Sequence, residues 1–169
     1  MQSDTIHTAI VEDDPEIRQL LQMILDASPG FSCKYAYPDA EKAVADLPGR
    51  AVHIVLMDIE LPGMSGIECV RMLREKGQDM DFLMLSVLED DEAIFNSLCA
   101  GASGYLVKET PPVQLLEAIR DCYAGGSPMS AGIARKVIKS FHKQPAPDLL
   151  SDRETQVLRM LCDGANYKS

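Results

Sequence analysis

The sequence predicts an α/β fold: a five-stranded parallel sheet flanked by helices, followed by a helical linker and the start of a small all-α unit. Three observations carry this. Five short apolar runs alternate with five helical patterns, and strict strand–helix alternation builds a parallel sheet covered on both faces. Right-handed crossovers then follow nearly by default. Two of the apolar runs spill directly into acidic loops, at Glu12-Asp13-Asp14 and at Asp58, where parallel sheets place their ligand sites. The charge also reverses along the chain. Residues 1–124 hold 22 Asp/Glu against 9 Lys/Arg, a net of −13, and residues 125–169 hold 4 against 7, a net of +3.

Strands are expected at Thr5–Val11, Phe31–Ala36, Val52–Met57, Phe82–Ser86 and Gly104–Val107. Helices are expected at Pro15–Ala27, Ala40–Asp46, Gly66–Lys76, Asp91–Ala100 and Pro112–Ala124. Asp14-Pro15 reads as an N-cap followed by a first helical residue, where proline loses no hydrogen bond. Ile17, Leu20, Leu21, Ile24 and Leu25 then form one apolar stripe. Ser65 and Glu68 have the spacing of a capping box. Gly101 closes the fourth helix, and Gly125-Gly126 closes the fifth and marks the edge of the first module. Beyond it, Ser130–His142 is helical, with Ile133, Val137, Ile138 and Phe141 on one side. Gln144-Pro145-Ala146-Pro147 reads as a short, semi-rigid linker. Ser151 and Glu154 form a second capping box ahead of an apolar face of Val157, Leu158 and Leu161, stopped by Gly164. Residues 165–169 read as the start of another helix, so the chain is expected to be truncated there.

A length of 169 residues fits one full domain with an appendage. A composition 46% hydrophobic and 25% charged is that of a globular protein. No apolar run approaches the roughly 18 residues needed to span a bilayer, and the N-terminus lacks the basic and apolar segments of a secretory signal. Five scattered cysteines without a Cys-x-x-Cys pair point to reduced thiols and a cytoplasmic location. The acidic first part would repel a phosphate backbone, whereas the basic tail would tolerate one.

The chemistry gathers at the strand ends. If the strands ending before Glu12 and at Asp58 are parallel neighbours, the carboxylates of Glu12, Asp13 and Asp58 converge and need a cation. Few, hard oxygen ligands suit Mg²⁺. Lys108 follows the last strand and can reach a phosphoryl group as a point charge. Ser86 ends the fourth strand with a hydroxyl at the same edge. Taken singly, Lys108 reads as a surface lysine and Ser86 as a turn residue, and Asp14 caps the first helix. Four strands each ending in a polar group form a far more specific signal.

On these residues the chain resembles a bacterial two-component response regulator. The match to a flavodoxin-like receiver domain covers about residues 5–124. Its residues are the acidic pair in Val11-Glu12-Asp13-Asp14-Pro15, Asp58 in the stretch Leu56 to Gly66, Ser86, and Lys108 in the stretch Gly101 to Lys108. The tail from Leu150 to Gly164 is similar to the opening of the LuxR-type helix-turn-helix of the NarL/FixJ subfamily. The resemblance implies a receiver over 1–124, a helical linker over 125–147 and the first part of a helix-turn-helix domain over 148–169.

It further implies that Asp58 accepts a phosphoryl group from a sensor histidine kinase. Asp13 and Asp58 would hold Mg²⁺ directly, Glu12 through water, and the Glu60 backbone carbonyl would complete the protein ligands. Ser86 and Lys108 would contact phosphoryl oxygens, and Tyr105 would be the switch aromatic, turning inward as Ser86 moves. The protein would be no enzyme beyond catalysing its own phosphorylation and dephosphorylation. Its output would be DNA binding by the full-length C-terminal domain and not by this chain alone, because a recognition helix has to reach the major groove. Homodimer formation is left open, and no membrane partner is implied.

Two departures stand out. Glu12 occupies a position where many receivers have Asp. The proline that usually follows the lysine is displaced to Pro111, which leaves Thr110-Pro111 as a candidate cis bond. Two rival readings are a Mg²⁺-dependent phosphohydrolase using Asp58 and Glu60, and a receiver with a protein-binding output.

Overall fold

The structure is a computed structural model describing residues 4–87, 89–143 and 152–162, with the side chains of Lys143 and Cys162 left aside. Strands β1 (Ile6–Val11), β2 (Phe31–Tyr37), β3 (Ile54–Met57), β4 (Asp81–Ser86) and β5 (Gly104–Val107) alternate with helices α1 (Pro15–Ala27), α2 (Ala40–Asp46), α3 (Gly66–Glu75), α4 (Asp91–Ala100) and α5 (Pro112–Tyr123). Two further helices follow, α6 (Ala131–Lys143) and α7 (Asp152–Cys162). The sheet order is β2-β1-β3-β4-β5, all parallel. In this flavodoxin-like order the winding reverses between β1 and β3, the position at the carboxyl ends of the strands where such sheets place their ligand sites.

The two faces of the sheet are buried separately. On one, Leu21 and Leu25 of α1 and Leu115, Ile119 and Cys122 of α5 pack on Ile10, Leu56, Leu83 and Leu106. On the other, α2, α3 and α4 pack on Val11, Val55, Met57, Met84 and Tyr105. Alternation along each strand divides the residues between the faces, as the two-residue period requires. α6 and α7 join the second face through Ile133, Ala134, Val137 and Val157. Arg153 fastens α7 to the end of α4, its Nε donating to the Leu98 carbonyl at 3.0 Å.

The expected boundaries shift by one or two residues at several ends. Capping behaves as the residue types dictate. The Asp14 carboxylate accepts from the Glu16 and Ile17 amides, Ser65 and Glu68 form a reciprocal capping box, and Gly101 ends α4 at φ 126°. Two expectations fail. Leu20 does not join the buried stripe of α1 but is 56% exposed, because it lies on the far edge of the helix from Leu21 and Leu25. Ile138 is 44% exposed for the same reason, and Ala134 takes its place on the buried face of α6. No peptide bond among the described residues is cis, so Thr110-Pro111 is trans; the Thr110 amide and hydroxyl both bond back to the Val107 carbonyl. The expected linker 144–147, the Ser151 half of the second capping box, the Gly164 stop and the helix start at 165–169 lie outside the described residues. No described helix is long and apolar enough to cross a membrane.

Candidate functional site

The register of β1 against β3 assembles the site. Val11 pairs with Met57, and the Asp58 amide donates to the Val11 carbonyl at 3.0 Å. This places the residues just beyond both strands side by side. Carboxylate oxygens of Glu12, Asp13 and Asp58 lie within 4.8 Å of one another. Glu12 and Asp58 are buried, at 2% and 4% exposure, whereas Asp13 is exposed.

Lys108 closes the group from β5. Its Nζ lies 2.9 Å from Glu12 Oε2 and 3.0 Å from Asp58 Oδ2. Its amide donates to the Ser86 carbonyl at 3.0 Å, so the ends of β4 and β5 are tied together at this edge. Burial raises the Glu12 carboxyl above its usual range; the Lys108 hydrogen bond opposes that, and the negative charge of Asp58 adds to it. Burial alone would push Lys108 down, but its bonds to Glu12 and Asp58 outweigh this and hold it above its ordinary value. One half-buried ammonium thus faces two buried carboxylates, an arrangement short of positive charge.

The loops are held by residues that carry no obvious sequence signal. Arg18, one turn into α1, donates to the Glu12 carbonyl at 2.7 Å and to the Asp13 carbonyl at 3.4 Å. Glu41 on α2 accepts from the Met64 amide at 2.8 Å and anchors the loop that leads from Asp58 to α3. Both look like ordinary surface charges until the tertiary fold brings them to the loops. Gly66 shows its role only in space: a Cβ there would stand 1.9 Å from the Asp58 carbonyl oxygen.

Ser86 and Tyr105 are both fully buried, and a side-chain hydrogen bond joins them. Burial pushes the Tyr105 hydroxyl up to about 12. The ring therefore already points inward. The Glu60 side chain is exposed and lies outside the carboxylate group, although its amide donates to Asp58 Oδ1 at 3.3 Å. The Asp58–Glu60 carboxylate pair of the hydrolase reading is therefore not formed.

The model of the response regulator receiver domain matches residues 8–120. The chain belongs to the two-component response regulators of the NarL/LuxR type. Among its relatives is the nitrate/nitrite response regulator protein NarP of Escherichia coli K12, 31% identical over 163 residues, covering 94% of this chain and 75% of NarP. The DNA-binding transcriptional activator DevR/DosR of Mycobacterium tuberculosis is 30% identical over 163 residues, with the same coverage of 94% and 75%. The crystal structure of a LuxR-family two-component response regulator from Aurantimonas sp. superposes with a TM-score of 0.76 at 28% identity, covering 83% of this chain and all of that one. The five-stranded receiver fold and the response-regulator assignment both agree with the sequence.

Proposed function

We propose that this response regulator accepts a phosphoryl group on Asp58 from a sensor histidine kinase and passes the change to a DNA-binding output. The observation that carries the reading is the Lys108 ammonium bridging Glu12 and Asp58 at 2.9–3.0 Å at the carboxyl ends of β1 and β3. An Asp58 oxygen attacks the phosphorus of the kinase phosphohistidine. An O–P bond forms, the P–N bond breaks, and the imidazole nitrogen leaves with the electron pair. Water attack at phosphorus later releases phosphate and restores the carboxylate.

The donor set fits Mg²⁺: hard carboxylate oxygens, few in number, with an open side at exposed Asp13. Asp13, Asp58 and the Glu60 carbonyl would hold it, with Glu12 acting through water. Bound there, Mg²⁺ supplies positive charge to the phosphoryl oxygens. Lys108 is drawn from its carboxylate partners toward a phosphoryl oxygen, and Ser86 donates its hydroxyl to another. The protein's part is mostly positioning and electrostatics. Shifting a two-state equilibrium from 1:99 to 99:1 takes about 5.5 kcal/mol, and two charge-assisted bonds at roughly 1.5–3 kcal/mol each bring that within reach.

The domain reading follows: a receiver over 1–124, a linker over 125–147 and the opening of a LuxR-type helix-turn-helix over 148–169. The protein works in the cytoplasm, where its kinase presents the phosphohistidine. DNA would be bound through the C-terminal helix-turn-helix output; the relative DevR/DosR is itself named a DNA-binding transcriptional activator. Beyond forming and hydrolysing its own acyl phosphate it turns over no substrate.

The test uses a small-molecule phosphodonor with Mg²⁺ and intact-protein mass. One phosphoryl adduct is expected on the wild type and none on Asp58→Asn; an adduct of equal yield on Asp58→Asn would overturn the assignment. Lys108→Ala is expected to keep the adduct but lose the accompanying change in the β4–α4 region, read by amide exchange.

A further inference from the structure

The segment after α5 lies along the outer edge of β5. Gly104 lets it in: a Cβ at that position would stand 2.5 Å from the Pro128 carbonyl oxygen and 2.9 Å from Leu83 Cδ1. The Tyr105 amide donates to the same Pro128 carbonyl at 3.0 Å. Tyr105 and Met129 form a single parallel bridge. β5 is the last strand of the sheet, and an edge strand presents backbone groups ready to pair with another segment. Here the chain's own linker takes that place.

α6 then runs over α4. Ile133, Ala134 and Val137 are buried in the same cluster as Ile94, Leu98 and Tyr105. Phe141 meets Phe95 edge-on, with ring centroids 5.3 Å apart. Lys136 Nζ donates to the Glu89 carbonyl just ahead of α4. Tyr105 is left with no exposed surface.

We infer that residues 127–143 are a latch: while docked on β5 and α4, they hold the Tyr105 ring inward against Ser86. A packed interior offers a phenol ring no second position. The ring can turn toward solvent only when Met129 and α6 leave, so undocking of the linker and release of Tyr105 are one event. Coupling of this kind is reciprocal. Whatever strengthens the Tyr105–Ser86 contact tightens the linker, and whatever frees the linker loosens Ser86. The docking surface thus connects the output side of the molecule to the phosphoryl site through one buried cluster that holds both Tyr105 and α6. That last link rests on reading Asp58 and Ser86 as the phosphoryl site; the latch itself does not.

The experiment uses the whole 169-residue chain labelled with 3-fluorotyrosine, the Tyr105 signal being assigned by its loss in Tyr105→Phe. Ile133→Asp puts a carboxylate on the buried face of α6. Val137→Thr puts a hydroxyl there with nearly unchanged shape and serves as the gentler variant. In both, the α6 amides are expected to exchange about tenfold faster or more, and the Tyr105 fluorine is expected to become sensitive to solvent isotope. A Tyr105 fluorine that stays buried while the α6 amides exchange rapidly would overturn the latch. In a second arm, a small-molecule phosphodonor with Mg²⁺ is expected to change α6 amide exchange in the wild type and to leave it unchanged in Tyr105→Phe. Absence of any adduct on Asp58 would sink the phosphoacceptor assignment and leave the fluorine result standing on its own.

Discussion

Lys108 carries the charge that lets Glu12 and Asp58 lie buried side by side. Removing one partner of a buried ion pair costs roughly 3–5 kcal/mol, because the remaining charge has lost its compensation. Lys108→Ala is therefore expected to lower the unfolding free energy from urea titration by an amount in that range without Mg²⁺, and by clearly less with it, since the metal would replace the missing cation. An equal loss under both conditions would count against a shared site for the lysine and the metal. The pH dependence has a definite sign. Lys108 titrates above its ordinary 10.5 in the folded protein, so its stabilisation is complete below that value and disappears as pH rises through the folded one. Comparing the wild type with Lys108→Ala across the alkaline range should show the two urea midpoints converging.

At the scale of elements, the β3–α3 connection is held by its cap and by a close backbone approach. Ser65 Oγ accepts from the Glu68 amide at 3.2 Å and the Glu68 carboxylate accepts from the Ser65 amide at 3.4 Å. Ser65→Ala should cost about 1 kcal/mol, the usual value of an N-cap, with little effect on phosphoryl acceptance. Gly66→Ala is different in kind. Its Cβ would overlap the Asp58 carbonyl oxygen at 1.9 Å, so α3 or the Asp58 backbone has to move. Overpacking typically costs about 1–3 kcal/mol, and here the displaced atom belongs to the proposed phosphoacceptor. The expected result is a slower rate of Asp58 phosphorylation beyond any loss of stability, checked by phosphodonor kinetics well below the unfolding transition.

At the scale of the whole molecule, four buried or half-buried cysteines among the described residues, on four different elements, are free. Burial raises all of them from an ordinary 9.0, Cys33 and Cys99 to about 11 and Cys69 and Cys122 to about 12. The unfolded chain releases these protons first, so stability falls as pH rises from about 9 toward 12. Cys122→Ala should flatten that fall whatever its effect at neutral pH, measured as the slope of the urea midpoint against pH. The larger assembly also depends on contacts between distant segments. Arg153 of α7 donates to the Leu98 carbonyl and Val157 is buried, so α7 packs against the end of α4.

Much of this was legible in the sequence because it depends on local rules. Strand–helix alternation, the Asp14 and Ser65 caps and the Gly101 stop follow from backbone hydrogen bonding within a few residues. The convergence of Glu12, Asp13, Asp58 and Lys108 could be anticipated because a parallel sheet puts all strand ends on one edge. Leu20 and Ile138 were misplaced because a helical period tells which residues share a face, not how far the neighbouring elements cover it. Arg18, Glu41 and Gly66 had no local signal, since each acts on a backbone atom brought near by the fold. By itself the sequence determined the order of the elements, the family and which carboxylates meet at the sheet edge. Only the tertiary structure decided that the linker closes β5 and buries Tyr105, because edge pairing and helix docking are set by contacts between segments that no local pattern encodes.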